Sequence, residues 1–203
     1  MRHSRRGILF VISAPSGGGK STLLQLLKPK VDFVYSVSCT TRPPRPGEVH
    51  GKDYYFISPE EFEQRMLVGD FLEHARVYNH RYGTLRETVN QSLRAGDDVL
   101  IDVDVQGAAA IRHNADAEIR QSLVDVFLMP ASVQELRRRL LKRGTENPEQ
   151  LELRLRNAVA EMAEWQSYRY IILSDQPEDD YDNFRAIMVA ERMRSHRMSL
   201  SGE

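Results

Sequence analysis

Three consecutive glycines, Gly17, Gly18 and Gly19, run directly into Lys20, Ser21 and Thr22. Glycine lets a backbone curl until successive N–H groups face one anion, and an ammonium and a hydroxyl closing that curl suit a phosphate chain with its Mg2+. In this reading Ala14, Pro15, Ser16 and the three glycines cradle the phosphates of a nucleoside triphosphate. Lys20 reaches the β- and γ-phosphates, Ser21 places its hydroxyl on Mg2+, and Thr22 adds hydrogen bonds at a helix start. The general pattern has glycine where this chain has Ala14. Kinases, GTPases and ATPases share such a loop, so it assigns the class of phosphate donor without assigning the reaction.

A second group follows. Arg42 and Arg45 are set among Pro43, Pro44 and Pro46, ahead of Tyr54. A planar guanidinium fork matches phosphate, and proline rigidity reduces the entropy lost in fixing it. Arg42, Arg45 and Tyr54 can therefore clamp a monophosphate; the alternative is a solvated loop. Asp102 and Asp104 end an apolar run two residues apart, a spacing that sends both to one face of a strand. There they would border the ligand crevice of an open α/β sheet, unless they simply cap the turn into a helix. Arg137 to Arg143 packs five positive charges into seven residues, and Arg154 lies on the next helical pattern. Such a run is usually a solvated helix face, yet arginines closing over a transferred phosphoryl group would stabilise its spreading charge and exclude water.

These residues need elements to position them. Ile8 to Ile12, Val99 to Val105, Val124 to Met129 and Tyr170 to Leu173 read as strands buried on both faces of a parallel sheet. Helix starts are signalled by Ser132-Val133-Gln134-Glu135 and by Asn147-Pro148-Glu149-Gln150. Strands alternating with helices predict an α/β fold. The stretch from about Ser38 to Gly96 reads as an insertion. It carries a short strand at Tyr54 to Ile57, a helix capped by Ser58 and ending near Gly69, and a strand over Phe71 to Val77. A last helix starts at Thr84-Leu85-Arg86-Glu87 and closes at Gly96. The last nine residues predict a frayed tail, and Asp125, inside an apolar strand, has no assigned role.

The Ser38-Cys39-Thr40-Thr41-Arg42-Pro43-Pro44-Arg45-Pro46-Gly47-Glu48 run, with the glycine loop, closely resembles guanylate kinases, particularly bacterial ones. The likeness continues through Phe71-Leu72-Glu73-His74-Ala75, Tyr82-Gly83-Thr84, Ile101 to Gly107 and Arg143-Gly144-Thr145, and covers residues 7–185. It implies a P-loop nucleoside monophosphate kinase fold: a parallel core sheet flanked by helices (7–37, 97–135 and 165–203), a GMP-binding insertion (38–96) and a helical lid (136–164). It implies phosphoryl transfer from ATP to GMP, with Mg2+ as cofactor and dGMP as an open alternative acceptor. The resemblance puts the acceptor phosphate against Arg42, Arg45, Tyr54 and Tyr82, and guanine against Ser38, Glu73 and Thr84. Asp102 and Asp104 fall on the GMP side, and Arg139, Arg143 and Arg154 in the lid. Where the family usually has Asn-Asp-Asp, this chain has Ser174-Asp175-Gln176, which unsettles an adenine contact.

Bulk properties set limits. At 203 residues and 41% hydrophobic content the chain suits one compact unit. A net charge of −1 argues against a surface built for nucleic acid. One cysteine, Cys39, forms no internal disulfide and reads as a small filler residue; with no long apolar terminal run, the expected compartment is the cytoplasm. The expected partners are ATP and GMP, with no membrane; homo-oligomer formation stays open. Two alternatives stand beside the kinase: a non-catalytic guanylate-kinase-like module that binds phosphopeptides, and a kinase for another phosphorylated acceptor.

Overall fold

A computed structural model describes residues 2–29, 32–77, 79–114, 116–143 and 148–201. Its first half runs β1 (Arg2–Arg5), β2 (Leu9–Ser13), α1 (Lys20–Leu27), β3 (Val34–Tyr35), β4 (Cys39–Thr40), β5 (Tyr55–Phe56), α2 (Pro59–Leu67), β6 (Phe71–Val77), β7 (His80–Leu85) and α3 (Arg86–Ala95). The second half runs β8 (Val99–Asp102), α4 (Val105–Arg112), α5 (Ala117–Ser122), β9 (Leu123–Pro130), α6 (Val133–Arg143), α7 (Pro148–Ala163), β10 (Tyr170–Ser174), α8 (Pro177–Arg192) and β11 (Met198–Ser201).

Five strands form one all-parallel sheet in the order β10-β9-β2-β8-β3. The two-residue period of a strand sends alternate side chains of β2 to opposite faces. Phe10 and Ile12 pack with Leu23, Leu27, Phe184 and Met188 toward α1 and α8, and Leu9 and Val11 pack with Val89, Leu93, Ile111 and Ile119 toward α3, α4 and α5. Both faces are covered, which is why the strand reads as an unbroken apolar run. From β2 the chain builds one side of the sheet through β3 and β8, then crosses to β9 and β10 on the other. That reversal places a crevice beyond the carboxyl ends of β2 and β8.

Between β3 and β8 the chain forms a second sheet, β5-β4-β7-β6, with β7 antiparallel to both its neighbours. Its core is Cys39, Phe62 and Phe71, the two rings stacked at 4.5 Å. Leu136, Leu140, Leu151, Leu155 and Ala158 join α6 to α7 in a third cluster. Two helix starts behave as their sequences predict: the Ser58 hydroxyl accepts from the Glu61 amide and that of Ser132 from the Glu135 amide, each at 3.1 Å. Asn147 lies outside the described residues. Among these, no helix is long and apolar enough to cross a membrane.

Five expectations are corrected. The Tyr170 to Leu173 run is not buried on both faces, because β10 is an edge strand and leaves Ile171 and Leu173 exposed. Thr84 starts no helix; it lies in β7, and α3 begins at Arg86 without a side-chain cap. Its amide and hydroxyl both bond the Glu73 carboxylate across the sheet, which outcompetes a local cap. The run from Val99 stops as a strand at Asp102, and Asp104 caps α4 by accepting from the Gly107 amide at 2.8 Å. The aromatic strand is shorter than Tyr54 to Ile57, holding only Tyr55 and Phe56. The tail is not frayed up to Ser201: β11 pairs antiparallel with β1, so the two terminal segments satisfy each other's backbone groups.

Asp125 now has a structural role. Buried in β9, it accepts from the Arg112 guanidinium at 2.8 Å and from the Arg169 amide at 3.0 Å, while Arg112 lies over the Tyr168 ring. Removing one partner of a buried pair strands the other charge. Asp125→Ala is expected to lower the unfolding free energy by about 3 kcal/mol, read from urea denaturation.

Candidate active site

The glycine loop joins the buried end of β2 to the start of α1. Gly17 and Gly19 hold φ of 86° and 100°, a left-handed backbone that other residues adopt only under strain. Gly19 is the N-cap of α1 and no side chain caps the helix, so the first amides of α1 and its positive dipole end face the crevice. The Lys20 ammonium lies 3.0 Å from the Val103 carbonyl and 3.5 Å from Asp102. The lysine at the loop's end is thus tied to the carboxyl end of β8.

On one side of Lys20 opens a cavity of about 640 Å3. Its wall brings together Ser38, Arg42, Arg45, Tyr54 and Tyr82 from the small lobe with Lys20 and Ser21 of α1, Asp102 at the end of β8 and Asp104 at the start of α4. Glu73 completes it. An irregularity in the pairing of β6 and β7 falls between Phe71 and Glu73, a device that re-aims a side chain. Glu73 is 6% exposed, and its Oε1 accepts from the Thr84 hydroxyl at 2.7 Å and from the Thr84 amide at 3.1 Å. Burial pushes its carboxyl up from 4.5 to about 7, with the Thr84 bonds opposing and Asp104 reinforcing the shift. Thr84 therefore touches the site through Glu73.

Arg42 is nearly buried, and its guanidinium donates to Glu48 at 2.8 Å and to the Pro43 carbonyl at 2.7 Å. Glu48 also accepts from the Arg45 amide at 2.7 Å, which ties the proline-rich turn together. The rings of Tyr54 and Tyr82 meet edge to face at 5.9 Å beside Arg42. Burial, then the charge of Asp102, pushes the Tyr54 phenol up to about 12, so it stays a hydrogen-bond donor. Tyr35 donates to Asp102 in a short bond.

On the other side of Lys20, a groove of about 380 Å3 runs along Ala14 to Ser21 and is walled by Asp104, Arg154 and Glu161. Glu161, on α7, accepts from the Ser16 amide at 3.2 Å. A further space of about 610 Å3 lies behind Gly17, Gly19 and Thr22, against Arg139 and Ser174. Arg139 reaches it through Glu135 at 2.7 Å and the Ser174 hydroxyl at 3.4 Å, while Ser174 donates to buried Asp180 at 2.7 Å. Arg137 and Arg138 pair with Glu152 and Glu135 at the surface. The Arg143 side chain, Gly144 and Thr145 lie outside what the structure describes.

Among the described residues, no group of three or more His, Cys, Asp or Glu could hold a metal alone. Ser21 and Asp104 line one groove, and a hydroxyl beside a carboxylate suits a hard, hydrated cation completed by phosphate oxygens. Sequence reasoning missed Tyr35, Glu48 and Glu161. Glu48 stood inside the motif around the two arginines, and its spacing from Arg42 was the available signal. Tyr35 and Glu161 come from distant segments and had none.

Comparison with known proteins agrees with this geometry. The family model described as guanylate kinase matches residues 6–191. A guanylate kinase of Novosphingobium aromaticivorans is 42% identical over 196 residues, covering 96% of this chain and 87% of that protein. One from Paramagnetospirillum magneticum is 44% identical over 195 residues, covering 96% and 89%. The crystal structure of guanylate kinase from Anaplasma phagocytophilum superposes with a TM-score of 0.77 at 33% identity, covering 96% of this chain and 91% of that one. A sheet, a loop and a crevice built in this way, matched by one family over nearly the whole chain, place it plainly: the chain belongs to the guanylate kinase family.

Proposed function

We propose that this chain transfers the γ-phosphoryl group of ATP to a phosphate oxygen of GMP, releasing ADP and GDP. One observation carries the reading. A buried carboxylate, Glu73, and a guanidinium pair, Arg42 and Arg45, line one cavity, and that cavity shares Lys20, Ser21 and Asp104 with the groove along the glycine loop. The acceptor and the donor phosphates therefore meet at Lys20.

Guanine presents its N1–H and 2-amino group as adjacent donors, which an ionised Glu73 accepts together. Adenine lacks the 2-amino donor and its N1 accepts, leaving buried groups unpaired. The Thr84 hydroxyl already donates to Glu73, so Ser38 is the side chain left to donate to guanine O6. Arg42, Arg45, Tyr54 and Tyr82 hold the acceptor phosphate, and Asp102 and Asp104 keep Lys20 and the GMP side in register. The loop amides and Lys20 hold the donor phosphates, and Arg139 and Arg154 supply charge to the moving group from the helical pair. Little covalent chemistry is asked of the protein; it positions the groups and offsets their charge. Bound Mg2+, on the Ser21 side, would neutralise part of the charge on the donor phosphates.

The test is an acceptor panel: GMP, dGMP, AMP, UMP and TMP, with ATP and Mg2+, scored by ADP release. GMP should be far the best ribonucleotide, and no GMP-dependent ADP would reject the reading. A subtler expectation concerns Gly107 in α4, where an added Cβ would lie 2.8 Å from the Glu73 Oε2. That oxygen ends a flexible side chain and can give way. The same Cβ would lie 3.0 Å from the Val103 Cβ, so Gly107→Ala should lower the melting temperature modestly and raise KM for GMP about tenfold, as the carboxylate is pushed off its mark.

A further inference from the structure

A second cationic space lies at the opposite end of the parallel sheet. Arg6 precedes β2, Arg169 precedes β10 and Arg120 lies in α5 just before β9, so these residues stand at the amino ends of the strands. That is about 17 Å, the length of a five-residue strand, from the glycine loop. With Arg194, His196 and Arg197 they line a cavity of about 890 Å3 whose described wall holds no Asp or Glu.

The local charge balance is strongly positive. Three carboxylates stand near the rim or behind the wall, and one of them, buried Asp125, is already paired with Arg112 at 2.8 Å. Glu118 pairs with Arg6 at 3.1 Å, with both side chains more than half exposed. Glu191 is fully buried and divides itself among Arg197 at 3.0 Å, Arg194 at 3.1 Å and the Tyr170 hydroxyl at 2.7 Å. Arg120 donates to the Asn114 carbonyl, and the Arg169 backbone amide goes to Asp125, with no side-chain ion pair of Arg169 among the described residues. With Asp125 offset by Arg112, five guanidiniums line the cavity against Glu118 and Glu191 in a chain whose net charge is −1. Gathering like charges around a concavity is unfavourable unless an anion offsets them, and guanidinium forks are matched to phosphate oxygens.

We propose that this cavity is a second anion site, separate from the active-site crevice, that takes a chain of two or more phosphates such as a nucleoside polyphosphate or inorganic tripolyphosphate. Its volume falls in the range of small-ligand sites. The described wall carries no Phe, Tyr or Trp on which bases of a single strand could stack, which favours a small ligand over a polynucleotide.

The test keeps the full chain and blocks the active site with one equivalent of a bisubstrate in which adenosine and guanosine are joined through a phosphate chain. Tripolyphosphate is then titrated without Mg2+, followed by calorimetry and by 31P line broadening. One equivalent should bind, with affinity falling as NaCl rises. An Arg169→Ala/Arg194→Ala variant should bind at least about tenfold more weakly. Both residues are exposed, and Glu191 keeps Arg197 and Tyr170, so the variant should fold and retain its kcat with ATP and GMP. An ATP arm separates the sources: equal affinity assigns recognition to phosphates alone, and tighter binding that the double variant loses adds contacts to the nucleoside. No binding to the unaltered protein by either readout, equal binding by the double variant, or a single-stranded oligonucleotide binding more tightly than tripolyphosphate would overturn the proposal.

Discussion

Lys20→Ala is expected to lower kcat about a thousandfold while leaving the fold intact. The ammonium stands where the groove along the glycine loop and the cavity lined by Glu73 share a wall, 3.0 Å from the Val103 carbonyl and 3.5 Å from Asp102. Neither contact anchors the core; each holds a flexible side chain beside the place where, in the proposed transfer, negative charge spreads. Its loss removes charge stabilisation from a crevice of lowered dielectric, where a single preorganised donor contributes most. The measurement is steady-state ADP release at saturating ATP and GMP, with circular dichroism as the folding control. Turnover within a fewfold of the unaltered protein would remove Lys20 from the mechanism.

Glu73→Gln should produce two effects of opposite sign. The amide replaces one acceptor with a donor facing a guanine donor, so kcat/KM for GMP should fall at least about a hundredfold. Stability should move the other way. The folded-state pKa of Glu73 is about 7 against an ordinary 4.5. Between those values the folded chain holds the extra proton, so its stability declines as pH rises through that window, by up to about 3 kcal/mol. Glutamine has no such titration and can still accept from Thr84. The variant should therefore gain stability above pH 7, by an amount that shrinks toward pH 4.5. The same titration predicts that kcat/KM for GMP in the unaltered protein falls as pH drops below about 7, because a protonated Glu73 offers a donor where guanine needs an acceptor. Denaturation midpoints and kcat/KM profiles across pH 5–9 decide both; a variant that is both less stable and fully active would sink the base-reading role.

Much of the fold was legible because its signals are local. β2 and β9 are apolar runs each followed by a helix, and Ser58 and Ser132 cap the helices that their spacing predicts. The glycine loop was readable for the same reason, since strand, glycines, lysine and helix are contiguous. What could not be read depends on partners far apart in the chain. Thr84 has the spacing of a helix start, yet Glu73, eleven residues earlier, takes its hydroxyl. Asp125 seemed misplaced until Arg112 and the Arg169 amide supplied its bonds. The pairing of β1 with β11 joins the two ends of the chain, and neither segment carries a pattern that announces the other. Resemblance pointed to Glu73 as a base reader, while burial and a raised pKa could come only from the packed lobe.

Two carboxylates inside the crevice change what an incoming ligand must do. Glu48 sits on Arg42, and Glu161 sits on the Ser16 amide at the head of the glycine loop. Each occupies hydrogen-bond donors that a phosphate would otherwise find free, so binding is an exchange of one anion for another. A phosphomonoester carrying two negative charges gains from that exchange more than chloride or a carboxylic acid can, and the crevice thereby sorts its visitors by valence before it sorts them by shape.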